Sequence, residues 1–100
     1  MVKLVALYMQ PPDPAAFDHH YRETHLPLVR KWPGLRRVET GKVTGMPGGG
    51  APPYYFIAEM YFDDENGLRA ALRSPEGRAA GDDVQRFASG LVSLLYVQVA

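Results

Sequence analysis

The chain has no cysteine, no net charge and no long hydrophobic run, and each absence excludes a class of protein. Without cysteine there is no disulfide scaffold, thiolate zinc site or cysteine nucleophile. The 11 basic and 11 acidic side chains balance, so there is no sustained positive field to hold nucleic acid or an anionic membrane. No apolar run approaches the ~20 residues of a membrane span, and the run at 2–9 is too short for a signal peptide. We therefore expect a cytoplasmic protein with neither a nucleic-acid nor a membrane partner.

The hydrophobic pattern predicts one small domain over residues 1–100. A hydrophobic fraction of 46% in 100 residues is enough for a single modest core. Alternating segments predict strands at 2–9, 35–44, 54–62 and 91–99, and helical periodicity predicts helices at 14–31, 63–73 and 75–88. This order indicates an α+β, ferredoxin-like βαββαβ fold, with a four-stranded antiparallel sheet and the helices on one face.

The predicted sheet has more apolar surface than its helices can cover. Strands one, three and four are apolar on both faces, whereas helices lie on only one. The remaining several hundred Å² of apolar surface is more than a soluble monomer usually exposes. We therefore expect a homodimer formed through the sheet faces.

Several segments resemble the EthD family, named for ethyl tert-butyl ether degradation. They are Asp13-Pro14-Ala15-Ala16-Phe17, Tyr21, Thr24-His25-Leu26-Pro27-Leu28, Pro33-Gly34-Leu35, Ser74-Pro75-Glu76-Gly77, Asp83-Val84 and Phe87. The resemblance implies the dimeric α+β barrel, a group with cofactor-free quinone-forming monooxygenases, muconolactone isomerases, polyketide cyclases and haem-handling proteins. No matching segment is a reaction signature, so the resemblance implies fold and assembly rather than one reaction.

The first predicted helix carries the leading candidate for chemistry, His25. At 100° per residue, Phe17, Tyr21, Thr24 and Leu28 share the buried face, and His25 lies at its border. Pro27, inside the helix, should kink or tighten the backbone around residues 25–26. A histidine there reaches a cleft while keeping a route to solvent, as a proton shuttle requires. The alternative is a boundary histidine bonded to a backbone carbonyl freed by the proline.

Tyr21 and Glu59 are the other two candidates for a catalytic role. Tyr21 either orients a polar substrate group and donates to a developing oxyanion, or is a core residue with its hydroxyl at the rim. Glu59 is the one carboxylate on its strand face. If that face looks towards the first helix, Glu59 is a base or orients His25. If it looks towards the dimer partner, it pairs with Arg36 or Arg37.

The sequence predicts a ligand cleft between the first helix and the sheet, suited to a small hydrophobic or phenolic metabolite. Its predicted lining is Val5, Leu7, Phe17, Tyr21, His25, Ile57, Tyr61 and Tyr96. The predicted chemistry is cofactor-independent monooxygenation or an isomerase/cyclase-type proton transfer, with His25 as acid or base. The alternative is a non-catalytic ligand-binding or accessory protein of a degradative pathway.

We expect no metal and no organic cofactor. The run Asp18-His19-His20 lacks metal-ligand spacing, because consecutive helical residues diverge by 100°. Haem, which some proteins of the wider group handle, would need an axial ligand, and His25 is the one well-placed histidine.

Overall fold

The computed structural model describes residues 1–100 and contains one four-stranded antiparallel sheet with the order β2-β3-β1-β4. Its elements are β1 (Val2–Tyr8), α1 (Pro14–His20), a π-helical turn (Tyr21–His25), α2 (Leu26–Val29), β2 (Arg37–Lys42), β3 (Phe56–Phe62), α3 (Glu65–Arg73), α4 (Pro75–Phe87) and β4 (Val92–Gln98). The predicted ferredoxin-like arrangement is confirmed, and β2 and β4 are the edge strands of the sheet. No helix is both long and apolar enough to cross a membrane.

The two faces of the sheet differ, because side chains alternate along each strand. On β1, Leu4, Ala6 and Tyr8 are buried against the helices together with Ala58, Met60 and Phe62 of β3. The intervening residues of both strands lie on the opposite face, which no helix covers: Lys3, Val5, Leu7, Ile57, Glu59 and Tyr61. The strand register therefore decides which side chains can meet the helices.

Each of the three main helices begins at a residue whose side chain accepts a hydrogen bond from a free amide. The Asp13 carboxylate accepts from Ala16 N at 3.1 Å, ahead of Pro14 in the first turn. Asp64 caps α3 and Ser74 caps α4 in the same way. Such caps, with proline at the first helical position, explain why the predicted helix starts lie close to the observed ones.

The distortion in the first helical run differs from the predicted one. The backbone widens into a π turn at Tyr21–His25 instead of tightening, and the Leu26 amide bonds to the Tyr21 carbonyl five residues earlier. Pro27 cannot donate to the Glu23 carbonyl and its ring would clash there, and a wider turn relieves this conflict. Because a π turn holds more residues than an α turn, His25 rather than Thr24 follows Tyr21 on the inner side. His25 is only 4% exposed, and Thr24, predicted to be buried, is exposed.

Helices α3 and α4 approach each other closely at Gly77. A Cβ at this position would collide with the carbonyl oxygens of Ala71 and Leu72, so only glycine permits this packing. The close approach holds α4 against the core, and α4 carries the carboxylate around which the candidate site is built.

Candidate active site

The buried carboxylate of Asp83 on α4 holds two imidazole rings. Asp83 is 3% exposed, and its Oδ2 lies 2.9 Å from Nδ1 of His25. Nε2 of His20 lies 2.9 Å from both carboxylate oxygens. A carboxylate only accepts hydrogen bonds, so each ring carries a proton on the nitrogen that faces Asp83. In neutral His25 this leaves the lone pair on Nε2, which has no hydrogen-bond partner within the chain.

Burial keeps His25 neutral near pH 7. Desolvation lowers the pKa of His25 from its ordinary value of 6.5, although the hydrogen bond and the charge of Asp83 act in the opposite direction. A neutral imidazole whose orientation is held by a carboxylate is the form of histidine that accepts a proton.

A cavity of about 140 Å³ adjoins this imidazole. It lies between the π turn and α4 on one side and strands β1 and β4 on the other, and its walls are mainly hydrophobic. Its lining comprises Leu4, Ala6, Tyr8, Tyr21, His25, Val29, Trp32, Met60, Leu72, Gly77, Ala80, Gly81, Val84, Gln85, Val92 and Leu94. The cavity is smaller than the usual pocket for a drug-sized ligand.

Two polar atoms from residues that line this cavity have no partner. The hydroxyl of Tyr21 and Nε1 of Trp32 are buried and make no hydrogen bond. Burial raises the pKa of Tyr21 well above its usual range, so its phenol remains protonated and able to donate. Leaving such a group unpaired costs about 1–3 kcal/mol, and neither atom has surface that a ligand in the cavity could contact without movement of the neighbouring side chains.

Aromatic packing fixes the rings of the site. Phe87 contacts both imidazoles, with ring centroids 4.5 Å from His20 and 5.0 Å from His25. The Tyr21 ring lies 5.2 Å from that of His25 and 5.9 Å from that of Tyr8. Because these rings contact one another in a packed interior, the imidazole of His25 has little freedom to turn away from Asp83.

His25 and Tyr21 lie close together, as expected. The prediction of which strand residues line the cleft is wrong. Four strand residues predicted to line it lie on the helix-free face: Val5, Leu7, Ile57 and Tyr61. The helix-facing positions beside them are Leu4, Ala6 and Tyr8, which line the cavity instead. Successive side chains of a strand point to opposite faces of the sheet. The four predicted residues therefore point away from the helices and cannot contact His25.

Glu59 lies on the same helix-free face and is therefore neither a base in the cavity nor a partner of His25. It accepts a hydrogen bond from the Tyr61 hydroxyl at 3.3 Å and lies 3.5 Å from Lys3 Nζ. The expected arginine pairing is also absent within the protomer, because Arg36 binds Asp63 and Arg37 stacks over the Tyr61 ring.

Phe17 and Tyr96 face the helical side but do not line the cavity. Phe17 belongs to the aromatic core, with its ring centroid 5.2 Å from that of Tyr8, and it borders a separate open groove near His20. Tyr96 lies on the edge strand β4 beneath the Arg69 guanidinium, 4.8 Å from its ring.

The sequence reasoning gave no role to Asp83, His20 or Trp32. For Asp83 a signal was present, since it stands three residues after Ala80 and four before Phe87. It therefore lies on the apolar face of its helix, where a carboxylate needs a partner. Trp32 follows the end of the first predicted helix, so helical periodicity does not predict where its side chain points. No three His, Asp or Glu side chains are arranged to hold a metal ion.

Comparison with known proteins places the chain in a family. The model of the EthD domain matches residues 10–90, most of the chain. The chain belongs to the EthD family. An uncharacterised 11.0 kDa protein from the thcB-thcC intergenic region of Rhodococcus erythropolis is 41% identical over 96 residues, covering 96% of this chain and 92% of the relative.

Solved structures support the same assignment. An EthD family protein from Bacillus halodurans has a TM-score of 0.95 and 46% identity, covering 100% of this chain and 99% of that one. Two more distant structures share the fold. A dimeric ferredoxin-like protein of unknown function from Thermobifida fusca has a TM-score of 0.74 at 19% identity, covering 98% and 90% of the two chains. SnoaB, a cofactor-independent oxygenase from Streptomyces nogalater, has a TM-score of 0.66 at 17% identity, covering 99% and 91%.

Proposed function

We propose that this EthD protein catalyses proton transfer on a small, largely apolar metabolite held in the cavity, with His25 as the base and acid. One observation carries the proposal: His25 lines an apolar cavity while its Nδ1 lies 2.9 Å from a buried carboxylate. The reaction class is an isomerisation or cyclisation, or the proton removal that begins a cofactor-independent oxygenation.

The chemistry follows from the hydrogen bonds of His25. Its Nε2 lone pair takes a proton from a carbon or hydroxyl of the substrate, and the ring becomes an imidazolium. Asp83 stabilises that cation, because its carboxylate then accepts a charge-assisted hydrogen bond in a buried setting. The same ring returns the proton to the substrate at a second position. Tyr21 packs its ring against that of His25, with the centroids 5.2 Å apart, and so helps to hold the imidazole in position.

The similarity to SnoaB is one of fold, and because SnoaB is a cofactor-independent oxygenase, oxygenation is a second reaction to test. Isomerisation and cofactor-free oxygenation share their first step, removal of a proton to make an electron-rich substrate. An assay for that step tests both.

The test is exchange of substrate hydrogen for deuterium in D₂O, followed by NMR, with a panel of single-ring phenols, enolisable ketones and lactones. We expect exchange with at least one compound class, and a loss of about 10²-fold or more in His25→Gln, the range for general acid–base catalysis. His19→Gln is the matched control, because His19 is exposed on the same helical run. Equal rates in both variants, or binding without exchange or turnover, would contradict the proposal and favour a ligand-binding or accessory role in a degradative pathway.

We also propose that two copies associate through the helix-free sheet face. The dimeric ferredoxin-like protein of T. fusca supports this assembly. So does the apolar side of that face, where Leu95 is 48% exposed beside Val5 in the sheet register.

A further inference from the structure

We infer that the hydroxyl of Tyr8, on the helix-facing side of β1, donates a hydrogen bond to the carbonyl oxygen of an uncharged ligand that the cavity holds beside His25. The inference rests on the proposed function in that it assigns a substrate class, ketones and lactones, to the same cavity. It can be tested separately, because a hydrogen bond to a carbonyl needs no chemical step.

The Tyr8 hydroxyl is the phenol that opens into the cavity. Tyr8 lines the cavity and is only 2% exposed, and its hydroxyl has no hydrogen-bond partner within the chain. The hydroxyl of Tyr21 and Nε1 of Trp32 are the unpartnered side-chain atoms with essentially no accessible surface, so the Tyr8 hydroxyl retains some. Because Tyr8 borders none of the other surface depressions, that surface faces the cavity.

Tyr8 and His25 line the cavity from neighbouring positions. The Tyr21 ring lies 5.9 Å from that of Tyr8 and 5.2 Å from that of His25. The Phe87 ring lies 6.3 Å from that of Tyr8 and 5.0 Å from that of His25. Nε2 of His25, like the Tyr8 hydroxyl, is unpartnered and is not one of the fully buried atoms. We therefore expect one bound molecule to contact both polar atoms.

The Tyr8 phenol acts as a donor at neutral pH. Burial, together with the nearby Tyr21 and Asp83, raises the pKa of Tyr8 far above its ordinary value of 10.0. The hydroxyl therefore keeps its proton, and no other group of the chain accepts it. An oxygen of the ligand is the acceptor that would satisfy this donor.

The rest of the lining favours an uncharged ligand. It contains no lysine, arginine, aspartate or glutamate, and its one exposed side chain with hydrogen-bonding atoms is that of Gln85 on α4. A carboxylate or phosphate on the ligand would lose its hydration without gaining a counter-charge. A carbonyl group needs only one donor, which Tyr8 provides.

A base and a donor in one cavity match the removal of a proton next to a carbonyl group. The C–H bond breaks, its proton goes to Nε2 of His25, and its electron pair forms the C=C bond of an enolate while the carbonyl π electrons move to oxygen. The hydrogen bond from Tyr8 strengthens as negative charge develops on that oxygen, so it stabilises the transition state more than the bound ketone. His25 then returns the proton to carbon.

The first experiment measures binding alone, by calorimetry. Cyclohexanone and methylenecyclohexane have the same ring and differ by oxygen in place of a terminal methylene. Since a neutral hydrogen bond contributes about 0.5–1.5 kcal/mol, Tyr8→Phe should weaken the binding of cyclohexanone about fivefold and change that of methylenecyclohexane less than about twofold. Tyr54→Phe is the control, because Tyr54 lies outside the cavity lining and should leave both affinities unchanged.

Infrared spectroscopy of bound, isotope-labelled cyclohexanone detects the hydrogen bond directly. A hydrogen bond weakens the C=O bond, so its stretching frequency should be lower in the wild type than in Tyr8→Phe. A wild-type frequency as high as that of cyclohexanone in hexane would overturn the inference without any variant. Circular dichroism and urea unfolding verify that each variant is folded.

The second experiment is deuterium exchange of the ketones and lactones. Tyr8→Phe should slow exchange by about 10²-fold, the range for removal of one donor to a developing oxyanion. A substrate that is a phenol would need only the base, so its exchange should depend on His25 and little on Tyr8.

The results separate this inference from the proposed function. Equal cyclohexanone affinity in the wild type and Tyr8→Phe, a loss in Tyr21→Phe in place of Tyr8→Phe, or no binding up to the solubility of cyclohexanone would overturn the inference. Ketone binding that depends on Tyr8, without deuterium exchange in any compound, would leave it standing and refute the catalytic proposal. Exchange of a ketone or lactone that needs His25 and is unchanged in Tyr8→Phe would do the reverse.

Discussion

Replacing Asp83 by asparagine should destabilise the protein by about 2–3 kcal/mol, although the two side chains have nearly the same size. The carboxylate accepts from His20 and His25, both at 2.9 Å, and hydrogen bonds to a charged group contribute about 1.5–3 kcal/mol each. Asparagine offers one neutral acceptor, so it can replace one of these bonds only in part. Its amide N–H₂ would face the N–H of the other imidazole, so two hydrogen-bond donors would point at each other.

The magnitude is smaller than the loss of two such bonds, because a buried carboxylate also carries a desolvation penalty. Removing the charge removes that penalty and offsets part of the loss. The remaining 2–3 kcal/mol, roughly, is a large share of the 5–15 kcal/mol typical of small domains. At roughly 4–8 °C per kcal/mol for a domain of about 100 residues, Tm should fall by about 10–20 °C.

The assay is urea unfolding at pH 7.5, followed by the fluorescence of Trp32. The control is Asp82→Asn, one residue earlier on the same helix and exposed, which should change the free energy of unfolding by less than about 0.5 kcal/mol. If Asp83→Asn matches this control in stability and also in deuterium exchange, the carboxylate neither stabilises the fold nor orients His25, and the reasoning about the site is refuted.

Three further predictions concern the titration of the site, the packing that holds it and the assembly. His25 should titrate below 6.5 by NMR, because burial lowers its pKa, and a His25 signal that titrates above 6.5 would contradict this. Since the folded state then binds fewer protons than the unfolded state, the contribution of His25 to stability is fully present above pH ~6.5 and falls as the pH drops below that value. Gly77→Ala should destabilise by about 1–3 kcal/mol in thermal unfolding, since its Cβ would collide with backbone carbonyls of α3; unchanged stability would show that the helices separate freely. In light scattering at micromolar concentration the protein should be a dimer, Leu95→Glu should be monomeric, and Met46→Glu on the loop should remain dimeric; a monomeric wild type would end the sheet-face proposal.

Local patterns in the sequence were sufficient for the element order and the fold. The alternation in the strands, the caps at Asp13 and Ser74 and the proline after each are short-range signals, so they predicted where helices and strands begin within a few residues. They also indicated that something interrupts the first helical run near Pro27.

Only the tertiary structure decided which set of strand residues meets the helices, and with it the composition of the site. Both sets of β1 and β3 side chains are mainly apolar, so hydrophobicity alone did not choose between them. Val5 and Ile57 were therefore predicted to line the cleft, although the strand register places them on the other face. The π turn decided the direction of His25, because one extra residue in a turn shifts every side chain that follows. The pairing of His25 with Asp83 joins residues 58 positions apart, and such a contact is created by the packing of α4 against the π turn rather than by any local preference of either segment.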